Sequence, residues 1–178
     1  MTDTETTPKI FLTDYGSYNE GSQFEFGHWV ELSQFDSVED YAEYEKKHFE
    51  NADKKSPLFG GIREETMITD FEGFPRAFYS ESSMDFERLF EWLEMDENEK
   101  ESLEVAMQYF STIEEAFEKR EDLHFYQGEA WEIFDQFYPE VEEITNKNPY
   151  LKVDYDQFLK EGFTPYTTEA GNTYYIAD

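Results

Sequence analysis

The spacing of apolar residues changes along the chain and separates segments with strand character from segments with helical character. Short runs rich in apolar, β-branched and aromatic residues, with turn residues such as Gly, Pro, Asn or Ser nearby, indicate strands. These runs predict strands at 9–14, 26–34, 65–71, 123–126, 163–166 and 173–176. A turn is expected at Tyr18-Asn-Glu-Gly21, and Glu169-Ala-Gly-Asn172 is expected to join the last two strands as a hairpin.

Helical spacing dominates the middle of the chain. Ser37, with an acid three residues later at Asp40, is a typical N-terminal cap. This helix is expected to have residues 46–48 in its last turn and to be followed by a loop over 51–62. Further helices are predicted around 86–93, 103–110, 112–120 and 131–137. The sequence therefore predicts an α+β fold with strands at both ends and helices between them.

Charge is the most unusual feature of the composition. The 178 residues include 14 Lys and Arg against 43 Asp and Glu, which gives a net charge of −29. A chain this acidic is repelled by nucleic acid and by anionic membranes, so we exclude non-specific binding to either. Acidic disordered segments are poor in aromatic residues, whereas 19% of this chain is Phe, Trp or Tyr. We therefore expect a folded protein.

The negative charge is spread along the whole chain and is not confined to a tail. The net charge is −8 over residues 1–60, −13 over 61–118 and −8 over 119–178. Acids recur with helical spacing on the two central predicted helices, at Glu87, Glu91 and Glu94 and again at Glu97, Glu101 and Glu104. Each row places a charge about every 5 Å along its helix axis, and two adjacent rows would place one every ~2.6 Å. Duplex DNA carries one charge per ~1.7 Å of axis, which is of the same order.

Two plainer explanations of the charge are a solvated surface and adaptation to high salt. A small domain needs a net charge of only about 2–8 to stay soluble. Salt-adapted proteins are expected to favour Asp and small apolar residues, whereas this chain has 30 Glu against 13 Asp and has 18 Phe. Like charges at i, i+4 also cost roughly 0.2–0.5 kcal/mol per pair. We therefore expect the charge to serve a function.

Residues typical of catalytic, metal and nucleotide sites are missing or scattered. The chain has no cysteine, which excludes disulfides and thiolate chemistry. His28, His48 and His124 fit no metal-binding spacing, and no nucleophile-elbow, dinucleotide-binding or phosphate-loop motif occurs. Asp154-Tyr-Asp156 begins like a calcium loop but lacks its later Gly and Glu. The sequence predicts no enzyme activity, no cofactor and no metal.

The N-terminal residues give no indication of export. The first seven are polar, are expected to be frayed, and contain neither the basic nor the apolar part of a secretory signal. No apolar run approaches the ~20 residues needed to span a bilayer. We expect a soluble, cytoplasmic protein with no membrane association.

Several blocks of the sequence follow one another in the order seen in a known family. The N-terminal blocks are Phe11-Leu-Thr-Asp-Tyr15, Tyr18-Asn-Glu-Gly21 and Gly27-His-Trp-Val-Glu-Leu32, which are specific in combination. Later blocks are Glu64-Glu65, Ile68-Thr-Asp70 and Glu72-Gly-Phe-Pro75. The likeness is weaker at Phe125-Tyr-Gln-Gly128 and in a block from Tyr155 to Gly171. Together they cover nearly the whole chain, and it resembles the ArdA antirestriction family. The polar stretch 46–56 departs from the family pattern.

The resemblance implies an acidic mimic of duplex DNA that is encoded on mobile genetic elements and inhibits type I restriction–modification enzymes. It also implies a homodimer and an elongated chain of three small domains. We place these at 8–62 (β/α), 63–111 (mainly helical) and 112–178 (α/β). The acidic face is expected to occupy the basic DNA-binding cleft of the enzyme, without direct nucleic acid binding by the inhibitor. The carboxylates expected to form this face are Glu87, Glu91, Glu94, Glu97, Glu101, Glu104, Glu114, Glu115, Glu118, Glu129, Glu132 and Asp135.

Two other functions are compatible with the composition. An acidic interaction module that binds another basic DNA-binding protein, such as a DNA-packaging or nucleoid factor, needs the same anionic surface. A hydrolase with paired carboxylates predicts turnover and sensitivity to one acid pair. Because about one residue in four is acidic, some pair lies at any required distance by chance. The aromatic residues are assigned to the core and to dimer contacts.

Overall fold

The protein is described by a computed structural model that covers residues 6–59, 63–148 and 150–178. Residues 1–5 of the segment expected to be frayed, and residues 60–62 of the predicted loop, lie outside the described residues. Contacts between Cα atoms divide the chain into two compact units, one ending at Met95 and one beginning at Asp96. Each unit combines helices with a small sheet, which confirms the predicted α+β class.

The first unit alternates short strands with helices. Its elements are β1 (Lys9–Asp14), α1 (Tyr15–Asn19), α2 (Gln23–Phe26), β2 (His28–Glu31), α3 (Val38–Lys55), β3 (Thr66–Glu72) and α4 (Phe86–Glu94), with 3₁₀ turns at Leu32–Gln34 and Arg76–Phe78. The described strands pair antiparallel in the order β2-β1-β3. Ile10, Leu12, Val30 and Ile68 share one face of this sheet and are buried, so this face forms part of the core.

Helix α3 packs on the core face of the sheet. His28 lies opposite Leu12 in the β1–β2 register and therefore points to that face. Its Nε2 lies 2.5 Å from the hydroxyl of Tyr44, and its ring centroid lies 4.5 Å from that of His48, both on α3. Further along α3, Tyr41 stacks on Phe86 of α4 at a centroid distance of 4.4 Å. These contacts join the sheet, α3 and α4 into one unit.

A buried arginine ties further elements of the first unit together. Arg63 is only 5% exposed, and its guanidinium donates to Ser17 Oγ at 2.9 Å, to the Asp53 carboxylate at 2.8 Å and to the Ser56 carbonyl at 2.8 Å. The Asp14 carboxylate lies 3.4 Å from Arg63 Nε and also accepts the backbone N–H of Ser17, which caps α1. Buried charges require such partners, so this network explains how a cation and a carboxylate share the interior.

The second unit is mainly helical and ends in a hairpin. Its elements are α5 (Glu97–Tyr109), α6 (Ile113–Lys119), β4 (Phe125–Tyr126), α7 (Ala130–Phe137), α8 (Val141–Lys147), α9 (Tyr155–Gly162), β5 (Phe163–Thr167) and β6 (Thr173–Ala177), with a 3₁₀ turn at Arg120–Asp122. The described strands pair antiparallel in the order β4-β6-β5. Phe134, Phe137, Phe158 and Phe163 contact one another across α7, α9 and β5 at centroid distances of 5.1–6.0 Å. Apolar ring packing therefore holds α7 and α9 on the hairpin.

Side-chain caps fix where several helices begin. Ser37 accepts the backbone N–H of Asp40 at 3.2 Å, as its sequence pattern predicts. Asp96 and Glu99 form a capping box at the start of α5, in which each side chain accepts the other residue's backbone N–H. Asp154, which begins the calcium-loop-like triplet, caps α9 by accepting the N–H of Gln157 at 3.0 Å.

The predicted strands are confirmed at the N-terminus, at 66–72 and in the closing hairpin, whereas the strand predicted at 26–34 is largely wrong. Only His28–Glu31 is extended, between α2 and a 3₁₀ turn. Thr13 Oγ1 donates to the carbonyl of Gln23 at 3.0 Å, which holds α2 beside β1. Leu32 donates its N–H to the carbonyl of Pro8, one residue before β1 begins, and the chain turns there.

The helix that begins at Val38 extends beyond its predicted end. It continues to Lys55, so residues 46–48 are not its last turn and the loop predicted over 51–62 is wrong for 51–55. Residues 51–55 contain no Gly or Pro, and Pro57, which disfavours the helical conformation at Ser56, comes after them. Helices α1, α2, α8 and α9 were not predicted. The division into three domains at 8–62, 63–111 and 112–178 stays a prediction.

Candidate functional site

The two compact units are almost equally acidic. The unit ending at Met95 contains 22 acidic and 8 basic residues, a net charge of −14. The unit beginning at Asp96 contains 21 acidic and 6 basic residues, a net charge of −15. Each unit therefore presents a large excess of negative charge.

In the first unit, the predicted acids Glu87, Glu91 and Glu94 lie on the exposed side of α4. The helix buries Leu89 on its opposite side, so packing of the apolar side fixes which way the carboxylates face. Arg88 Nη1 donates to Glu91 at 2.7 Å and partly compensates that charge. Glu87 and Glu94 are exposed at the two ends of the row.

In the second unit, the predicted acids on α5 fall into two different environments. The side chain of Glu97 is 75% exposed and receives a hydrogen bond from Lys100 at 3.1 Å. Glu101 is half-buried, and its carboxylate accepts from the Asn172 amide at 2.6 Å and from the Tyr174 hydroxyl. Glu101 thus binds the closing hairpin, whereas Glu97 faces solvent.

Glu104, one turn further along α5, also binds the hairpin. It is half-buried and accepts the backbone N–H of Glu169 at 2.5 Å. Burial raises the pKa of Glu104; the hydrogen bond from Glu169 opposes this rise, and the charges of Glu169 and Glu101 add to it. Burial, followed by the hydrogen bond and charge of Glu101, raises the pKa of Tyr174 to about 12. Glu101 and Glu104 therefore act as anchors for the hairpin.

On α6, two of the three predicted acids lie at the start of the helix and the third lies near its end. Glu114 and Glu118 are exposed, and Glu115 is half-buried and accepts from Lys119 Nζ at 2.9 Å. Glu114 and Glu115 occupy the first turn, where a carboxylate is stabilised by the helix dipole. Their position thus has a local stabilising role in addition to any display of charge.

On α7, two of the predicted acids cap the helix. Glu129 and Glu132 are exposed and form a capping box, in which the N–H of Glu129 donates to Glu132 at 2.8 Å. Asp135 is half-buried on the same helix. Sequence reasoning missed Glu140, Glu142 and Glu143, which are exposed at the start of α8. The sequence does contain a signal for them, because these acids surround Val141 and acids are enriched in the first turn of a helix.

The described residues also contain a shallow depression between α9 and the hairpin, with a volume of about 370 Å³. Leu159, Phe163, Pro165 and Tyr175 supply most of its lining, with Asp156 and Lys160 beside them. Within the described ranges, no group of three or more His, Asp or Glu is arranged to hold a metal ion. No helix in the described part of the chain is both long and apolar enough to cross a membrane.

Comparison with known proteins gave no match: no family model, no curated protein and no solved structure matches the chain. Inference about function therefore rests on the placement of charged and aromatic side chains.

Proposed function

We propose that this protein is an antirestriction inhibitor, an acidic mimic of duplex DNA that occupies the basic DNA-binding cleft of a type I restriction–modification enzyme. The observation that carries the proposal is the display of carboxylates on helices of both units, with net charges of −14 and −15. In the complex, carboxylates take the place of DNA phosphates and accept charge-assisted hydrogen bonds from Arg and Lys of the cleft. No bond is made or broken, so inhibition is stoichiometric.

The contributions of the acids differ in this proposal. Exposed carboxylates contact the cleft directly; those among the predicted acids are Glu87, Glu91, Glu94, Glu97, Glu114, Glu118, Glu129 and Glu132. Glu101 and Glu104 act indirectly, because they hold the hairpin that shapes the second unit. The energy is spread over many weak contacts, so no single exposed acid is essential.

The proposal includes the finer features implied by the resemblance to the ArdA family. These are an elongated chain of three small domains, a homodimer, and action in the cytoplasm without direct binding to nucleic acid. A compact globule made of two such chains has a radius of gyration of about 20 Å. Small-angle X-ray scattering is expected to give a clearly larger value for the elongated form, and a value near that of a sphere of the same mass would contradict this part.

Displacement of DNA tests the inhibitory function. A purified type I enzyme is bound to a labelled duplex, and the protein is added up to a molar excess. We expect release of the duplex at near-stoichiometric ratios. The variant Glu87→Gln/Glu91→Gln/Glu94→Gln is expected to be weaker, and the charge-retaining variant with Asp at the same positions is the matched control.

Two results would count against this function. One is an enzyme that keeps its duplex at every concentration of the protein. The other is release of DNA from a nucleoid protein but not from the enzyme, which would favour an acidic module directed at a different basic protein.

A further inference from the structure

Three aromatic rings cluster on the face of the first sheet that points away from α3. Phe11 lies opposite Trp29 in the β1–β2 register, and their ring centroids are 5.7 Å apart in an edge-to-face arrangement. Phe24 of α2 contacts Phe11 from the other side at 6.5 Å. Phe24 is 77% exposed and Trp29 38% exposed. We call Phe11, Phe24 and Trp29 the aromatic face.

The backbone around these rings is closely fitted. A Cβ atom at Gly27 would lie 2.9 Å from the ring of Phe11 and 2.4 Å from the carbonyl oxygen of Gln23. Only glycine therefore allows the α2–β2 corner to close on the ring. This corner and the strand pairing fix the positions of Phe24 and Trp29 on either side of Phe11.

A contact within the protein shows that the aromatic face accepts a cationic group. Lys9 Nζ lies 4.8 Å from the ring centroid of Trp29 and 2.9 Å from the carboxylate of Glu72. A cation is thus held between an aromatic ring and an acid at one edge of the aromatic face. Exposed acids also flank it elsewhere, because Glu31 lies opposite Lys9 and Asp70 lies opposite Phe11.

We propose that the aromatic face binds arginine side chains of a basic protein partner, which stack on Phe24 and Trp29 and pair with Glu31 and Asp70. Charge complementarity supports this occupant, since the unit that carries the face has a net charge of −14. Guanidinium groups are planar and weakly hydrated, and they stack on rings more readily than ammonium groups do. The identity of the partner as a restriction–modification enzyme rests on the proposed function. The preference for arginine does not rest on the proposed function.

An oligo-arginine peptide and an oligo-lysine peptide of equal length test the preference. Each is titrated into the full-length protein while the indole N–H signals are followed by NMR. We expect the arginine peptide to bind about two- to fivefold more tightly and to shift the signal of Trp29. The difference is expected to become smaller in Phe24→Ala, which leaves Trp29 in place, and to persist in full in Phe59→Ala, which removes a ring that is 99% exposed and outside the aromatic face.

Three results would overturn the proposal. The first is equal binding of the two peptides by the wild-type protein. The second is the same loss of affinity in Phe24→Ala and Phe59→Ala, which indicates a general apolar effect. The third is a change of oligomeric state in Phe24→Ala by sedimentation, which makes the aromatic face a contact between two copies of the chain.

Displacement of DNA from the enzyme separates this proposal from the proposed function. If the wild-type protein leaves the DNA bound but still prefers the arginine peptide, the aromatic face is supported and the antirestriction function is contradicted. If the wild-type protein displaces the DNA and Phe24→Ala does so equally well, the antirestriction function stands and the aromatic face is not used. Loss of about two- to fivefold in Phe24→Ala supports both.

Discussion

Replacing Glu101 with Gln tests whether this acid anchors the hairpin or merely displays charge. The substitution keeps the size of the side chain but removes the carboxylate that accepts from Asn172 and Tyr174. Hydrogen bonds to charged groups contribute about 1.5–3 kcal/mol each, and the amide oxygen of Gln retains part of this. Because the site is half-buried, we expect the hairpin to lose about 1–2 kcal/mol of stability.

Amide hydrogen exchange in β5 and β6 measures this loss directly, since it reports the free energy of local opening. A loss of 1–2 kcal/mol corresponds to exchange about 5- to 30-fold faster. The ring signals of Tyr174 provide a second measurement. Its pKa of about 12 is expected to fall in Glu101→Gln but to stay above the ordinary value of 10.0, because burial is the larger cause of its rise.

The matched control is Glu97→Gln on the same helix. It removes one negative charge from the same unit, so it reproduces any general relief of repulsion. Glu97 faces solvent, and we expect unchanged exchange in the hairpin and an unchanged pKa of Tyr174. Equal effects of the two variants, or no effect of Glu101→Gln, would refute the role of Glu101 as an anchor.

Two further predictions concern the first unit. Arg63→Met leaves Asp14 buried without its cation and is expected to cost about 3–5 kcal/mol in urea unfolding, whereas a cost below about 1 kcal/mol would contradict the network. Burial, followed by the charge of His28, lowers the pKa of His48 from 6.5. The folded protein therefore resists protonation, and its stability falls as pH drops from about 6.5 through the lowered pKa. The stability of the wild type relative to His48→Gln should decrease over this range in urea titrations, and a constant difference would argue against the shift.

The sequence predicted those helices and strands that a short stretch of neighbouring residues is enough to indicate. β1 is a short run with three apolar residues directly after Pro8, and Ser37 with Asp40 is a typical start for a helix. The end of α3 was misplaced, because Lys46 and Lys47 resemble a C-terminal turn but no Gly or Pro follows them before Pro57. Helix ends without such residues are set by packing, which a local pattern does not contain.

The sequence predicted that the site is rich in acidic residues, but it did not predict which of these residues are exposed or what they contact. Glu97, Glu101 and Glu104 have equivalent helical spacing, yet only Glu97 is exposed. The difference depends on Asn172 and Tyr174 for Glu101 and on Glu169 for Glu104, partners that lie 65 to 73 residues further along the chain. The local sequence around an acid does not indicate which distant residue it will contact. The ion pair between Asp14 and Arg63 is unpredictable for the same reason.

The salt dependence of binding to a purified type I enzyme tests DNA mimicry most directly. Affinity is measured across a range of NaCl from about 50 to 200 mM, the range over which multiple phosphate contacts weaken strongly. We expect the logarithm of the affinity to fall linearly and steeply with the logarithm of salt. Successive Glu→Gln changes at Glu87, Glu91 and Glu94 should make the slope shallower in small steps. An affinity that does not change with salt, or one that a single such change abolishes in a folded protein, would contradict the mimicry of DNA.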